Sequence, residues 1–88
     1  MRHGRTDTNQ TEIVAGLRAA GASVTSLADL GHGVPDLLVG HHGETFLMEV
    51  KTPEGSLTPD EAEYTQTWRG RTIMVVRSVE DAIKRVTG

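Results

Sequence analysis

Residues 34–51 read VPDLLVGHHGETFLMEVK, and this stretch decides the fold. Two largely apolar runs that are typical of strands, residues 34–40 and 44–51, flank a short segment that ends in Gly43. A glycine at that point supplies the positive φ that a tight turn between antiparallel strands needs. The stretch therefore predicts a β-hairpin.

The predicted hairpin places two carboxylates side by side. If the turn is centred between His42 and Gly43, Asp36 lies directly opposite Glu49, and their Cβ atoms are roughly 5 Å apart. Lys51 lies two residues beyond Glu49, so it projects from the same face of the strand. One patch of the sheet is therefore expected to hold two acids and one base.

This pair of acids predicts a metal site. Two close carboxylates disfavour each other's ionised form, and most residues around them in the hairpin are apolar. A hard cation such as Mg²⁺ or Mn²⁺ relieves the repulsion, because it prefers carboxylate, carbonyl and water oxygens. The ligands expected from the hairpin are Asp36, Glu49 and the backbone carbonyl of Val50. Lys51 would then orient or help to deprotonate a water, or stabilise charge on a phosphate.

The segments around the hairpin predict helices that cover a small mixed sheet. Residues 58–61 read TPDE, a strong helix start with a threonine cap, a proline at the first position and a glutamate three residues after the cap. Gly16 should weaken the first helix unless something packs closely against it. The fold class is α/β, in the order α-β-β-β-α-β-α. The elements beside the hairpin are a helix from Thr8 to Gly21, strands at 22–28 and 71–76, and helices at 58–68 and from Ser78 onward.

Composition limits the size and the setting of the protein. The 88 residues are expected to form one domain, 1–88, whose first seven residues are polar and flexible. With an apolar share of 36% and three aromatic residues, the core should be thin, which favours a homodimer. The chain has no cysteine, which excludes disulfides and thiolate-bound zinc. No apolar run approaches the roughly 20 residues of a membrane span, and no signal peptide is recognisable, so a cytoplasmic protein is expected.

The net charge of −3 argues mildly against a nucleic-acid partner. A metal site tempers the objection, because bound cations neutralise its carboxylates. The arginines also form an early and a late group, namely Arg2, Arg5 and Arg18, and Arg69, Arg71 and Arg77. Composition alone does not identify the partner.

The hairpin residues resemble the PD-(D/E)xK pattern of a large nuclease superfamily. Twelve residues separate the VPD of residues 34–36 from Glu49 in MEVK. A wider frame surrounds them: TNQTEIV at 8–14, LRAAGA at 17–22, GHGVPD at 31–36 and LTP at 57–59. Together these segments resemble the stand-alone VRR-NUC nucleases, many of them encoded by bacteriophages and related in fold to Holliday-junction resolvases. The likeness covers the chain from about Asp7 to Val86.

The resemblance implies a restriction-endonuclease-like core and a DNA endonuclease that depends on Mg²⁺ or Mn²⁺. It implies Asp36 and Glu49 as metal ligands, Lys51 as the catalytic lysine, and Glu12 as a supporting acid that holds the metal or its water. It also implies branched or junction DNA as the substrate, cut by a dimer to leave a 5′-phosphate and a 3′-hydroxyl. Relatives often place a glutamine early in the helix after the lysine, whereas this chain has its nearest glutamine, Gln66, about one turn later.

Each candidate residue also has a simpler interpretation. Asp36 is a common turn residue after proline, Glu49 and Lys51 can form a solvated ion pair, and an acid such as Glu12 suits a helix N-terminus. The histidines His32, His41 and His42 fit solvated turn residues better than a zinc site, and Tyr64 and Trp68 are expected to pack in the core. Candidate DNA contacts are Arg5, His32, Gly33 and Arg69, with Arg71 and Arg77 as further phosphate contacts.

Two other functions remain open on the sequence. One is a non-catalytic DNA-binding or assembly subunit that retains the nuclease fold, against which the intact Asp36, Glu49 and Lys51 set argues. The other is a monomeric nicking or RNA-directed nuclease, which the residues do not separate from the first proposal.

Overall fold

The computed structural model describes residues 4–88, with side chains from Thr8 onward. The side chain of Arg5, one of the predicted DNA contacts, lies outside these residues. The predicted order of helices and strands is confirmed, with a short 3-10 turn at Ala28–Leu30 added after the first strand. The elements are α1 (Gly4–Ala19), β1 (Ser23–Ser26), β2 (Leu37–His41), β3 (Glu44–Val50), α2 (Pro59–Thr67), β4 (Met74–Val76) and α3 (Val79–Thr87). Within residues 4–88, the helices are too short or too polar to cross a membrane.

The four strands form one mixed sheet in the order β1-β2-β3-β4. The first three are antiparallel neighbours, and β4 runs parallel to β3. The predicted hairpin register is confirmed, since Leu37 pairs with Met48 and extension of that register places Asp36 opposite Glu49. The turn has positive φ at both central residues, 49° at His42 and 81° at Gly43, which is the type I′ geometry that matches strand twist.

One face of the sheet carries the core. Leu37 and Val39 of β2 and Phe46 and Met48 of β3 are buried on it, and helices α1 and α3 cover it. The core is small and largely aliphatic, as the composition predicts. Glu49 points to the opposite face, because it alternates with the buried Met48 and Val50.

His41 departs from the prediction. It is the last residue of β2, and its side chain lies on the core face, only 6% exposed. The expectation that it is a solvated turn residue is wrong, because the turn consists of His42 and Gly43 alone and His41 still belongs to the strand. His42 is exposed, as expected, and its ring stacks on that of His41.

Helix α1 begins four residues before the predicted start at Thr8. Its interior glycine, Gly16, has a packing reason, since a Cβ there would collide with Cγ1 of Val79 in α3. Helix α1 therefore packs closely against α3 at Gly16, which is the condition under which a glycine inside the helix was expected.

Helix α2 begins as predicted but packs differently. The capping box between Thr58 and Glu61 is present. However, α2 has no buried residue, and Trp68 is 42% exposed. The prediction that Tyr64 and Trp68 pack in the core is wrong, because their rings stack on each other at the surface with centroids 5.6 Å apart.

A second tight turn holds the start of α2. His32 and Gly33 have φ values of 57° and 80°, and the Val34 N–H closes the turn on the Gly31 carbonyl at 3.1 Å. A Cβ at Gly33 would collide with the Asp60 carbonyl in the first turn of α2. This contact fixes the first turn of α2 beside the loop that leads into β2.

Candidate active site

Asp36 and Glu49 meet where strand β2 begins. Asp36 directly precedes β2, and its Oδ2 accepts a hydrogen bond of 2.8 Å from the N–H of Val50. Glu49 is only 3% exposed, and its carboxyl group lies close enough to that of Asp36 for Asp36 to raise the pKa of Glu49. The structure therefore brings together the two acids that the hairpin register places opposite each other.

The pair is electrostatically unfavourable when no cation is bound. Burial, then the hydrogen bond and the charge of Asp36, and then the charge of Glu61 raise the pKa of Glu49 to about 9. The opposing effect of Lys51 is too small to reverse this. Glu49 thus holds a proton near neutral pH in the metal-free protein. Replacement of a shared proton by a divalent cation is the chemistry that two buried carboxylates suit, so the donor set fits Mg²⁺ or Mn²⁺.

Lys51 lies beside this pair and contacts a residue that the sequence did not indicate. Its Nζ is 3.8 Å from Oε2 of Glu49 and only 2.7 Å from Oε1 of Glu61 in helix α2. Burial pushes the pKa of Glu61 up, but the hydrogen bonds from Lys51 and from the Thr58 backbone bring it below the ordinary value. Glu61 therefore carries the negative charge that balances Lys51.

Glu12 makes no direct contact with this pair of acids among residues 8–88. It is exposed on α1 and lines a depression with Asn9 and the loop at residues 52–54. No ion pair or hydrogen bond among residues 8–88 joins it to Asp36 or Glu49. Over the same residues, no three His, Asp or Glu side chains converge as a metal cluster. The roles of Glu12 and of the Val50 carbonyl as metal ligands stay predictions.

Asn9 and Arg77 hold the backbone that follows Lys51. The Asn9 amide donates to the carbonyls of Lys51, at 3.0 Å, and of Arg77, at 3.4 Å. The Arg77 guanidinium donates to the carbonyls of Thr52, at 2.8 Å, and of Gly55, at 2.7 Å. Arg77 thus has a structural role in the loop after β3, and its role as a phosphate contact stays a prediction. Asn9 joins α1 to the ends of β3 and β4.

The predicted DNA contacts whose side chains are described do not form a common ion-pair or hydrogen-bond network. His32 is exposed in the turn beside α2, and Arg69 is exposed after that helix. The close contact with the Asp60 carbonyl explains the glycine at position 33 without DNA. Arg71 pairs with Glu44 at 2.7 Å. Whether these residues touch DNA stays a prediction.

Gln66 does not share the position of Glu61. It is exposed, and five residues along an α-helix place it about 140° further around the axis. The α2 residue that faces Lys51 is therefore Glu61. The sequence predicted a glutamate at this position as part of the capping box at residues 58–61. Because capping alone explains that glutamate, the sequence did not indicate its contact with Lys51.

Comparison with known proteins adds one structural match. No protein-family model matches the chain, and no curated protein does. A solved structure described as a VRR_NUC domain superposes with a TM-score of 0.68 and 29% sequence identity, covering 90% of this chain and 90% of that chain. The motif frame and this likeness in fold support the assignment of the chain to the VRR-NUC family, and the fold is that of a VRR_NUC domain.

Proposed function

We propose that the protein is a metal-dependent nuclease that hydrolyses phosphodiester bonds in DNA. The observation that carries the proposal is the buried pair of Asp36 and Glu49 with Lys51 beside it. Burying two acids against each other costs stability. Binding of a cation between them would offset this cost, and so accounts for the presence of the pair.

The roles of the residues follow from their chemistry. Asp36 and Glu49 would hold Mg²⁺ or Mn²⁺, together with the Val50 carbonyl and with Glu12 directly or through a water. A bound cation supplies charge neutralisation and a more acidic water. The Lys51 ammonium donates hydrogen bonds toward the phosphate and offsets the charge that develops on it. By likeness to the family, the products carry a 5′-phosphate and a 3′-hydroxyl.

We further propose a homodimer that selects DNA by shape, with branched or junction DNA as the preferred substrate, in the cytoplasm. Within residues 4–88, the helices and strands all belong to one sheet and its covering helices, so this part of the chain holds no separate sequence-reading module. The small core favours burial of further surface against a second copy, and a two-fold dimer would present two sites to two strands. Light scattering at micromolar concentration tests the dimer, and a monomer there would overturn it.

Cleavage of a panel of DNA substrates tests the function. The panel contains linear duplex, single-stranded, flap and four-way-junction DNA, each with Mg²⁺, Mn²⁺ or EDTA. We expect cleavage with either cation, none in EDTA, and the fastest rate on a branched substrate. Cleavage that persists in EDTA would contradict the metal requirement, and equal rates on all duplexes would contradict selection by shape.

The same panel addresses the non-catalytic alternative. The absence of a three-residue metal cluster among residues 8–88 is the observation that favours it. Trp68 is the only tryptophan and is 42% exposed, so its fluorescence can report DNA binding directly. Binding of DNA by a folded, metal-loaded protein that cuts none of the substrates would favour a DNA-binding subunit.

A further inference from the structure

One carboxylate oxygen of Glu61 serves two partners. Oε1 accepts a hydrogen bond from the Thr58 N–H at 2.9 Å and forms an ion pair with Lys51 Nζ at 2.7 Å. The Glu61 N–H in turn donates to Oγ1 of Thr58 at 3.2 Å. The side chains of Lys51 and Glu61 are 16% and 20% exposed, so solvent screens their interaction less than it screens a surface ion pair.

Lys51 depends on this contact for its orientation. The ammonium group ends a flexible four-carbon stem that has many rotamers. Its other acidic neighbour, Glu49, is 3.8 Å away, beyond hydrogen-bonding distance. Glu61 is therefore the direct partner that fixes the ammonium among the residues that the structure describes.

Glu61 is itself held from two sides. The backbone N–H of Thr58 holds its side chain at the start of α2, and the close contact between Gly33 and the Asp60 carbonyl fixes the first turn of the helix. A group that is supported in this way can hold a reacting side chain within the small tolerance that catalysis needs.

We propose that Glu61 is a positioning residue for Lys51, which places the ammonium beside Glu49 and so raises the rate of bond cleavage without adding affinity for DNA. The inference rests on the proposed nuclease function for its effect on rate, but the tie between the two side chains exists without it. Glu61 acts through Lys51 and does not itself touch the phosphate.

A matched variant distinguishes the positioning role of Glu61 from a simpler role in helix capping alone. Thr58→Ala removes the hydroxyl that accepts from the Glu61 N–H, and with it half of the capping box, at a typical cost to helix stability. It leaves the Thr58 N–H and the ion pair with Lys51 in place. Thr58→Ala therefore measures the effect of lost capping on stability and cleavage while the contact with Lys51 stays in place.

The first measurement is a double-mutant cycle by urea unfolding in EDTA, with Lys51→Ala, Glu61→Ala and the double variant. We expect a coupling of at least about fivefold in the unfolding equilibrium constant, which is about 1 kcal/mol. The cycle that combines Thr58→Ala with Lys51→Ala should be additive to within about twofold. Coupling below about twofold between Lys51 and Glu61 would overturn the proposal, whatever the protein cleaves.

The second measurement is steady-state cleavage by the folded variants. Glu61→Ala should lower kcat about 10- to 100-fold with KM within about threefold of wild type, as expected for a misplaced group that acts in the transition state. Glu61→Gln keeps an acceptor oxygen for both donors and should recover most of this loss, and Thr58→Ala should stay within about threefold. A Glu61→Ala loss no larger than that of Thr58→Ala would overturn the positioning role.

The two measurements separate the inference from the proposed function. If wild type cuts no DNA while Lys51 and Glu61 remain coupled in EDTA, the nuclease proposal fails and the tie to Lys51 stands. If wild type cuts DNA but the two side chains are uncoupled, the positioning role fails and the nuclease proposal stands.

Discussion

Glu49→Gln is expected to make the metal-free protein more stable at pH 8 and to slow DNA cleavage by more than roughly 100-fold. The second effect should exceed the roughly 10- to 100-fold cost of changing a group that only supports a metal ligand, because Glu49 is a proposed ligand itself. The first effect follows from the titration of the buried carboxyl. An opposite change in stability and activity from one isosteric substitution is characteristic of a site that sacrifices stability for function.

The sign of the pH effect is set by the raised pKa. The pKa of Glu49 rises from 4.5 to about 9 on folding, chiefly through burial and through Asp36, so the folded state binds a proton that the unfolded state releases. The stabilisation is complete below about pH 4.5 and is lost as the pH rises toward 9. One proton gives at most about 1.4 kcal/mol per pH unit, so we expect a loss of roughly 2–4 kcal/mol between pH 5 and pH 8.

Glu61 does not obscure this dependence. Its pKa is lowered, because the hydrogen bonds from Lys51 and Thr58 outweigh burial, so its stabilisation is present above the ordinary pKa of 4.5 and lost only at lower pH. Its contribution is therefore nearly constant between pH 5 and pH 8.

Urea unfolding of wild type and Glu49→Gln in EDTA at pH 5, 6.5 and 8 measures the effect. The free energy of unfolding of wild type should fall with pH, and that of the variant should change less, because glutamine does not ionise. Addition of Mn²⁺ should reduce the slope of wild type toward that of the variant. Parallel pH dependences in EDTA would contradict the proposed burial of a protonated Glu49.

Gly33→Ala is expected to destabilise the protein by about 3 kcal/mol. Gly33 has a φ of 80°, where an alanine costs about 1 kcal/mol. The added Cβ would also collide with the Asp60 carbonyl, and overpacking of this kind costs about 1–3 kcal/mol. Since the first turn of α2 must shift to relieve the collision, Glu61 should move away from Lys51 and cleavage should slow in the fraction that remains folded.

Gly43→Ala is the matched control. Gly43 has nearly the same φ, 81°, but nothing lies within 4 Å of a Cβ placed there. It should therefore lose only about 1 kcal/mol and keep wild-type cleavage. Urea unfolding of the two variants measures the difference, and equal losses would show that the contact between Gly33 and α2 has no energetic weight.

The sequence predicted best where one local rule decides the outcome. The register of the hairpin follows from the turn at His42 and Gly43, since a two-residue turn leaves only one alignment of the flanking strands. Asp36, Glu49 and Lys51 come together for the same reason, because all three belong to that hairpin. The start of α2 was likewise predictable from its capping residues.

The features that the sequence did not predict depend on packing between distant segments. Glu61 meets Lys51 only because the turn at Gly33 holds α2 in place, and a capping motif says nothing about where its helix lies. The exposure of Trp68 has the same origin, since helical spacing cannot tell a core-facing pair of aromatics from a surface pair. The role of Arg77 depends on the path of the loop after β3, which periodicity does not describe.

Asp36→Asn tests most directly whether Asp36 belongs to a cation site that cleavage requires. An asparagine oxygen can still accept from the Val50 N–H, so the hairpin contact at 2.8 Å and the fold should persist. At saturating Mg²⁺ on the best substrate of the panel, we predict that the variant cleaves at less than about 1% of the wild-type rate. Cleavage at the wild-type rate by folded Asp36→Asn would contradict the account.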